Sequence, residues 1–273
     1  MRAWSDTCRT KKQKIALVPT MGFLHQGHLS LIRLARQNSD ATVVSIFINP
    51  AQFSPNEDLD NYPRDFQKDL ELCRAEGADV VFFPNEKEMY APPYQTYVQN
   101  DSLSGKLCGQ SRPIHFRGVV TVVSKLFNIV DPDVAAFGQK DAQQAIIIKN
   151  MVHNLNFRTE ILIGQIVRES DGLAMSSRNK YLSPDERMQA LVLSQSLKEL
   201  QNAYKSGRRD YDTLTAHARA KIDALPACRT DYISFVDMQT LEPAKPETNP
   251  VLLALAVFVG TTRLIDNTVL SAK

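Results

Sequence analysis

Apolar residues in the first 165 positions follow two spacings. Short, nearly continuous apolar runs at residues 15–18, 42–48, 79–83, 133–137 and 159–163 read as strands buried on both faces. Between them, at 28–38, 64–76, 118–129 and 141–155, apolar positions recur every three or four residues, the period of helices with one buried side. This alternation predicts an α/β unit, a Rossmann-like, doubly wound parallel sheet covered on both faces. Ligands of such sheets bind at the carboxyl ends of the strands, where the strand order reverses.

The pattern changes near residue 166. Ser183-Pro184-Asp185-Glu186 supplies an N-cap, a proline at the first helical position and an acidic residue at the third. A long helix is expected from there to about Tyr204, and a second from Asp210 to about Leu225. Three β-like runs follow, at 231–236, 251–259 and 262–270, with loops at Ser206-Gly207 and 243–250. The reading is two domains: 1–166, the Rossmann-like ligand-binding unit, and 167–273, a smaller α+β C-terminal unit acting as a lid.

Composition narrows the function classes. Of 273 residues, 43% are hydrophobic and 23% charged, and the formal net charge is +2, so no global field points to nucleic acid or a membrane surface. No apolar stretch approaches the ~20 residues of a spanning helix. The start, MRAWSDTCRTKK, lacks the apolar core of a signal peptide, and its basic cluster Arg9, Lys11, Lys12, Lys14 reads as a solvated segment. Four scattered cysteines form no CxxC pair, which favours free thiols in a reducing cytoplasm. Of the five histidines only His25 and His28 are close, without the glutamate of an HExxH site, so no protein-held metal is expected.

The chemistry concentrates at strand ends. In VPTMGFLHQGHLSL, a buried run gives way to Met21, Gly22, His25, Gly27 and His28 and then to an amphipathic helix. A helix N-terminus offers free N–H groups and a positive dipole end to an anion. Two imidazoles there can donate to phosphate oxygens and follow charge onto a leaving group. The alternative is an N-cap histidine with an incidental neighbour. In Met175-Ser176-Ser177-Arg178, two hydroxyls and a guanidinium suit a triphosphate; taken alone a polar loop before a capped helix is the better account, and the pairing with HxGH reverses that. Gly138-Gln139-Lys140-Asp141 closes a strand, with Lys140 a mobile cation and Asp141 and Gln144 spaced as a capping box. Asn49 and Gln52 follow the second strand, where paired amides select a small polar substrate or simply form a turn. The stretch 107–118 holds Arg112, His115 and Arg117 in a glycine-flanked loop; a phosphate site, a lid and a solvated loop all fit it.

The HxGH and MSSR pair resembles the HIGH and KMSKS signatures of nucleotidylyl transferases and class I aminoacyl-tRNA synthetases. With SIFINPAQF, NEDLDNYPR, LCGQSRPIHFRGV, KLFNIVDPDVAAFGQKDAQQ, VRESDGLAMSSRN and TTRLIDN in order, nearly the whole chain resembles the pantoate–β-alanine ligase family. Ala51 stands where threonine or a larger residue is usual, Ile114 where glycine is common, and Ser170 where proline is frequent. The resemblance also implies a further strand and part of a helix ahead of the segment beginning at Met1.

That resemblance implies a cytoplasmic, homodimeric enzyme joining pantoate to β-alanine through a pantoyl adenylate, with ATP as substrate and Mg2+ carried mainly by its phosphates. His28 matches the family's proton donor and His25 its phosphate-side partner. Lys140, Ser176, Ser177 and Arg178 match phosphate contacts; Gln52 and Gln144 match the amides holding pantoate, with Asn49 beside them. Met21, Gly22, Gly27, Gly138, Gln139, Asp141, Val167 and Met175 complete the nucleotide contacts. No nucleic-acid or membrane partner is expected. Other HxGH transferases would not require Gln52, Gln144 or the FGQKD segment. A tRNA synthetase would carry an anticodon-binding domain, and a non-catalytic nucleotide sensor has no need of His28, Lys140 and Arg178 together.

Overall fold

The computed structural model describes residues 1–55 and 57–271. Asn56, the first residue of the NEDLDNYPR segment, therefore lies outside the described residues. The chain divides into two compact units. One comprises Met1–Gln139 with Gln143–Gln165; the other comprises Lys140–Ala142 with the chain from Ile166 onward.

The first unit runs α1 (Arg2–Thr10), β1 (Ile15–Thr20), α2 (Gln26–Gln37), β2 (Ala41–Ile46), α3 (Phe66–Ala75), β3 (Val80–Phe82), α4 (Glu86–Met89), α5 (Cys108–Ser111), α6 (His115–Val130), β4 (Val134–Gly138), α7 (Ala142–Asn154) and β5 (Glu160–Gly164). The five strands pair in parallel in the order β3-β2-β1-β4-β5. Chain order reverses between β1 and β4, so their carboxyl ends open side by side at the switch point. All of β2 is buried, as a strand covered on both faces must be. On one face Ala16, Val18, Val44, Ile46, Val134 and Ala136 pack against Leu29, Leu31, Ile32 and Ala35 of α2. The four cysteines are buried thiols, and burial pushes that of Cys73 up to about 11.

The second unit holds α8 (Pro184–Ala190), α9 (Val192–Lys205), α10 (Tyr211–Asp223) and an antiparallel sheet β6 (Cys228–Asp237), β7 (Val251–Val259), β8 (Thr262–Leu270) in that order. Its core joins Leu193, Leu197 and Leu200 of α9 and Ile222 of α10 to Leu253, Leu255 and Val257 of the central strand.

Three expectations need correction. The long helix after Ser183 is two helices that meet at Leu191, whose N–H turns to the Gln189 carbonyl in a tighter turn than the helical one; the Leu191 carbonyl itself accepts Gln195 N–H at 3.1 Å. The capping box at its start forms, with Ser183 and Glu186 each accepting the other's backbone N–H. The opening segment is not merely solvated. It forms α1, and Arg9 donates to Asp133 Oδ1 at 2.7 Å while Asp133 Oδ2 accepts Ile15 N–H at 2.7 Å. Finally, β2 ends at Ile46, two residues earlier than its apolar run, because Asn49 caps a 3-10 turn over Pro50–Gln52.

Candidate active site

The turn after β1 carries the two close histidines. Gly22 sits at φ +84°, and a Cβ there would lie 2.9 Å from Asp69 Oδ2, so both conformation and space call for glycine. Phe23 follows at φ +51°. What holds this turn is Asp69 of α3, a carboxylate 2% exposed, which accepts Phe23 N–H and Leu24 N–H at 2.7 Å each. Burial raises its pKa more than these two hydrogen bonds lower it.

His25 is the N-cap of α2. Its Nδ1 accepts Gly27 N–H at 3.1 Å, and His28 Nδ1 accepts His25 N–H at 3.3 Å. The rings lie 4.1 Å apart between centroids, tilted by 36°. The histidines cap the helix, as the structural reading of the motif has it, and because each Nδ1 faces a backbone donor, the neutral ring of each carries its proton on Nε2. The start of α2 therefore presents two imidazole Nε2–H edges, while the cap takes up the His25, Gly27 and His28 N–H groups.

A buried amide cluster follows β2. Asn49, 1% exposed, donates through Nδ2 to Gln52 Oε1 and to the Gly118 carbonyl, at 3.0 Å each. Its Oδ1 accepts Ala51 N–H at 3.3 Å and the Tyr90 hydroxyl at 2.6 Å. Gln52 Nε2 points to Met21 Sδ, 3.1 Å away, which brings together two residues predicted for different substrates. The first turn of α6 lies against this segment so tightly that a Cβ on Gly118 would sit 2.3 Å from the Ala51 carbonyl oxygen.

The loop 107–118 resolves into supports. Arg112 pairs with Glu57, His115 Nδ1 meets the Gln52 carbonyl at 3.0 Å, and the Arg117 guanidinium lies 4.7 Å from the Tyr97 ring centre. All three charged or titratable side chains thus have protein partners.

Gly138 ends β4, and Gln139–Asp141 form a 3-10 turn leading into α7. The Lys140 carbonyl accepts Asn267 Nδ2 at 2.8 Å, while its ammonium lies 4.0 Å from Asp141. Gln143 and Gln144 differ sharply. Gln143 is buried, accepts Cys108 N–H and donates to the Leu103 and Lys106 carbonyls. The half-buried Gln144 amide has no hydrogen-bond partner among the described residues.

In the second unit, Val167 and Met175 are brought together by a narrow hairpin, with Met175 N–H donating to the Val167 carbonyl at 2.9 Å. Ser176 caps the 3-10 turn Ser177–Tyr181, its hydroxyl accepting Arg178 N–H at 3.3 Å. Asn179 Nδ2 bonds Glu169 and the Ala174 carbonyl, and Arg187 pairs with Glu169 and Asp171. At the base, Arg168 makes a two-pronged contact with Asp266, at 2.6 and 3.0 Å, and the Asp266 side chain is 1% exposed. Sequence reading missed Asp69, Tyr90 and Asp266; the TTRLIDN segment alone hinted at the last. Among the described residues, no group of three or more His, Cys, Asp or Glu side chains is placed to hold a metal ion, and no helix is long and apolar enough to cross a membrane.

The family model described as pantoate-beta-alanine ligase matches residues 1–269. The chain is 53% identical over 270 residues to the pantothenate synthetase of Thermotoga petrophila, covering 99% of this chain and 96% of that protein. It is 53% identical over 273 residues to that of Moorella thermoacetica, with 100% and 96% coverage. Among solved structures, pantothenate synthetase from Thermus thermophilus superposes with a TM-score of 0.91 at 38% identity, over 97% of this chain and 96% of that one. The Francisella tularensis pantoate-beta-alanine ligase, solved as a complex with beta-gamma ATP and beta-alanine, gives 0.81 at 34% identity, over 97% and 94%.

Proposed function

The chain belongs to the pantoate-beta-alanine ligase family, and on that premise we propose how its residues divide the work. It is an enzyme that condenses pantoate with β-alanine using ATP. The reading supposes two steps. The pantoate carboxylate attacks the α-phosphorus of ATP, forming pantoyl adenylate and releasing pyrophosphate. The amine of β-alanine then attacks the acyl carbon, giving pantothenate and AMP. No covalent enzyme intermediate is needed, so catalysis comes from alignment and electrostatic stabilisation.

In this assignment the Nε2–H groups of His25 and His28 donate to phosphate oxygens, and His28 supports the charge that builds on departing pyrophosphate. Lys140, Ser176, Ser177 and Arg178 contact phosphates, with Arg178 and Lys140 supplying positive charge. Gly138, Gln139, Asp141, Val167 and Met175 lie along the nucleoside, and Met21, Gly22 and Gly27 let backbone approach it. Gln52 and Gln144 hold pantoate. The open amide of Gln144 beside the saturated one of Gln143 supports choosing the former. Magnesium, if bound with ATP, would be held mainly by phosphate oxygens and water and would supply charge neutralisation on the phosphates. A homodimer and a cytoplasmic location are carried over from the family resemblance alone.

One observation carries the reading: paired imidazoles with fixed Nε2–H edges at the start of α2, in a chain matched to the family over residues 1–269. The test is direct. With ATP, magnesium, pantoate and β-alanine the protein should form pantothenate and AMP in equal amounts. With pantoate but no β-alanine, it should exchange labelled pyrophosphate into ATP. AMP formation that does not depend on pantoate overturns the ligase assignment, and absence of exchange overturns the adenylate route.

A further inference from the structure

We propose that Tyr90, acting through Asn49, is a positioning residue that fixes the Gln52 side chain with its NH2 group toward the substrate. The inference rests on the assignment of Gln52 to pantoate, and it concerns which end of that amide does the binding.

An amide side chain has two ends of similar shape and opposite hydrogen-bonding sense, so its direction must be set by its neighbours. Here the direction is set from the backbone outward. The Ala51 N–H can only donate and lies 3.3 Å from Asn49 Oδ1; the Gly118 carbonyl can only accept and lies 3.0 Å from Asn49 Nδ2. These two contacts orient Asn49 without ambiguity. Asn49 Nδ2 then faces Gln52 as a donor at 3.0 Å, so the Gln52 atom opposite it is Oε1. The reverse orientation would set two NH2 groups against each other. Gln52 Nε2 is consequently the end toward Met21, and it seeks an acceptor: a carboxylate, carbonyl or hydroxyl oxygen.

Tyr90 closes the far end of this chain. Its hydroxyl donates to Asn49 Oδ1 at 2.6 Å, the shortest bond of the series, and fills the second acceptor position of that oxygen. The phenol keeps its proton because burial and the neighbouring Tyr94 and Tyr97 raise its pKa. The ring is held at its edge by Tyr94, 4.9 Å away between centroids, and lies 6.2 Å from Phe47. Chains of hydrogen bonds reinforce one another in a buried setting, so removing the terminal donor loosens every amide downstream.

The experiment compares wild type with Tyr90→Phe, which keeps the ring and loses the hydroxyl, and with Asn49→Asp, which turns the donor facing Gln52 into an acceptor. Tyr90→Phe should raise KM for pantoate about 2- to 10-fold, the effect of one hydrogen bond. In Asn49→Asp the Gln52 amide should rotate and present Oε1 to the acid, raising KM on the order of 10- to 100-fold. KM for ATP and the unfolding midpoint of Tyr90→Phe should stay near wild type. A pantoate KM unchanged in Tyr90→Phe, or equal rises in both KM values with a lowered midpoint, overturns the relay. A second readout does not depend on turnover: neutron diffraction should place the deuterated amide nitrogen of Gln52 on the Met21 side. Deuterium density on the Asn49 side overturns the relay whatever the activity. A wild-type enzyme that forms no pantothenate, with the amide oriented as described, overturns the pantoate assignment instead.

Discussion

Asp69 and Leu24 are 45 positions apart, and the carboxylate of the first accepts the backbone N–H of the second at 2.7 Å. The same carboxylate takes the Phe23 N–H, so one buried side chain fixes the turn delivering His25 to the start of α2. Asp69→Asn replaces one acceptor by a donor that faces a backbone N–H. We expect a stability loss of about 1–3 kcal/mol, together with a rise in KM for ATP that exceeds any change in KM for β-alanine. Denaturant unfolding and steady-state kinetics measure the two. A purely global loss of folded protein would lower apparent kcat alone.

His28 serves the helix cap and, in the proposed reaction, the leaving group. Glutamine at the third helical position also completes a capping box. His28→Gln should therefore keep the unfolding midpoint of wild type while slowing pyrophosphate exchange by ~10²–10⁴-fold. His28→Ala should show the same kinetic loss with an added loss of about 0.5–2 kcal/mol in stability. Exchange at the wild-type rate in the glutamine variant would remove His28 from the chemistry.

Asp266 is buried against Arg168 with both oxygens engaged. Asp266→Asn loses two charge-assisted bonds while Arg168, about a third exposed, keeps access to water, so it should cost about 1–3 kcal/mol. Urea unfolding monitored by circular dichroism provides the value. A cost below about 0.5 kcal/mol, the range of exposed pairs, would contradict it.

Acid should weaken the second unit. Hydrogen bonds from Thr213 hold Asp210 below the ordinary carboxylate range, those from Thr240 do the same for Asp237, and those from Ser183 for Glu186. A depressed folded pKa gives stability that is present above the unfolded value and lost as pH falls through the folded one. Asp69 has the opposite sign: its raised pKa makes its contribution fullest in acid and lost as pH rises. The urea midpoint should therefore fall between about pH 5 and pH 2, and Asp237→Asn should flatten that fall. A variant curve parallel to wild type would dismiss Asp237 as a contributor.

What could be read from the sequence was local. Gly22 marks the turn after β1 and Gly138 the end of β4, and the buried strands announce themselves by continuous apolar runs, although β1 runs on through Pro19 to Thr20. Partnerships between distant segments left no such trace. Nothing in the spacing of Asp69 points to Leu24, or of Tyr90 to Asn49, because those bonds exist only once α3 and the segment after α4 have packed. The two glutamines of α7 make the same point: adjacent helical positions differ by about 100° in direction, and which one turns inward depends on where Leu103 and Lys106 lie. The α1 helix was hidden because its polar surface hardly suggests burial, while its anchor Asp133 is 124 residues away from Arg9.

The bond from Asn267 to the Lys140 carbonyl spans 127 positions and comes from the final strand of the chain. On a ribosome, the first parallel sheet and both histidines emerge long before that strand exists. The backbone under Lys140 thus waits for a strand made 127 positions later before its support is complete. A nascent or prematurely terminated chain could carry folded α2 and still lack that anchor. Lys140 is therefore secured only once β8 has been made, rather than in the order in which its neighbours are translated.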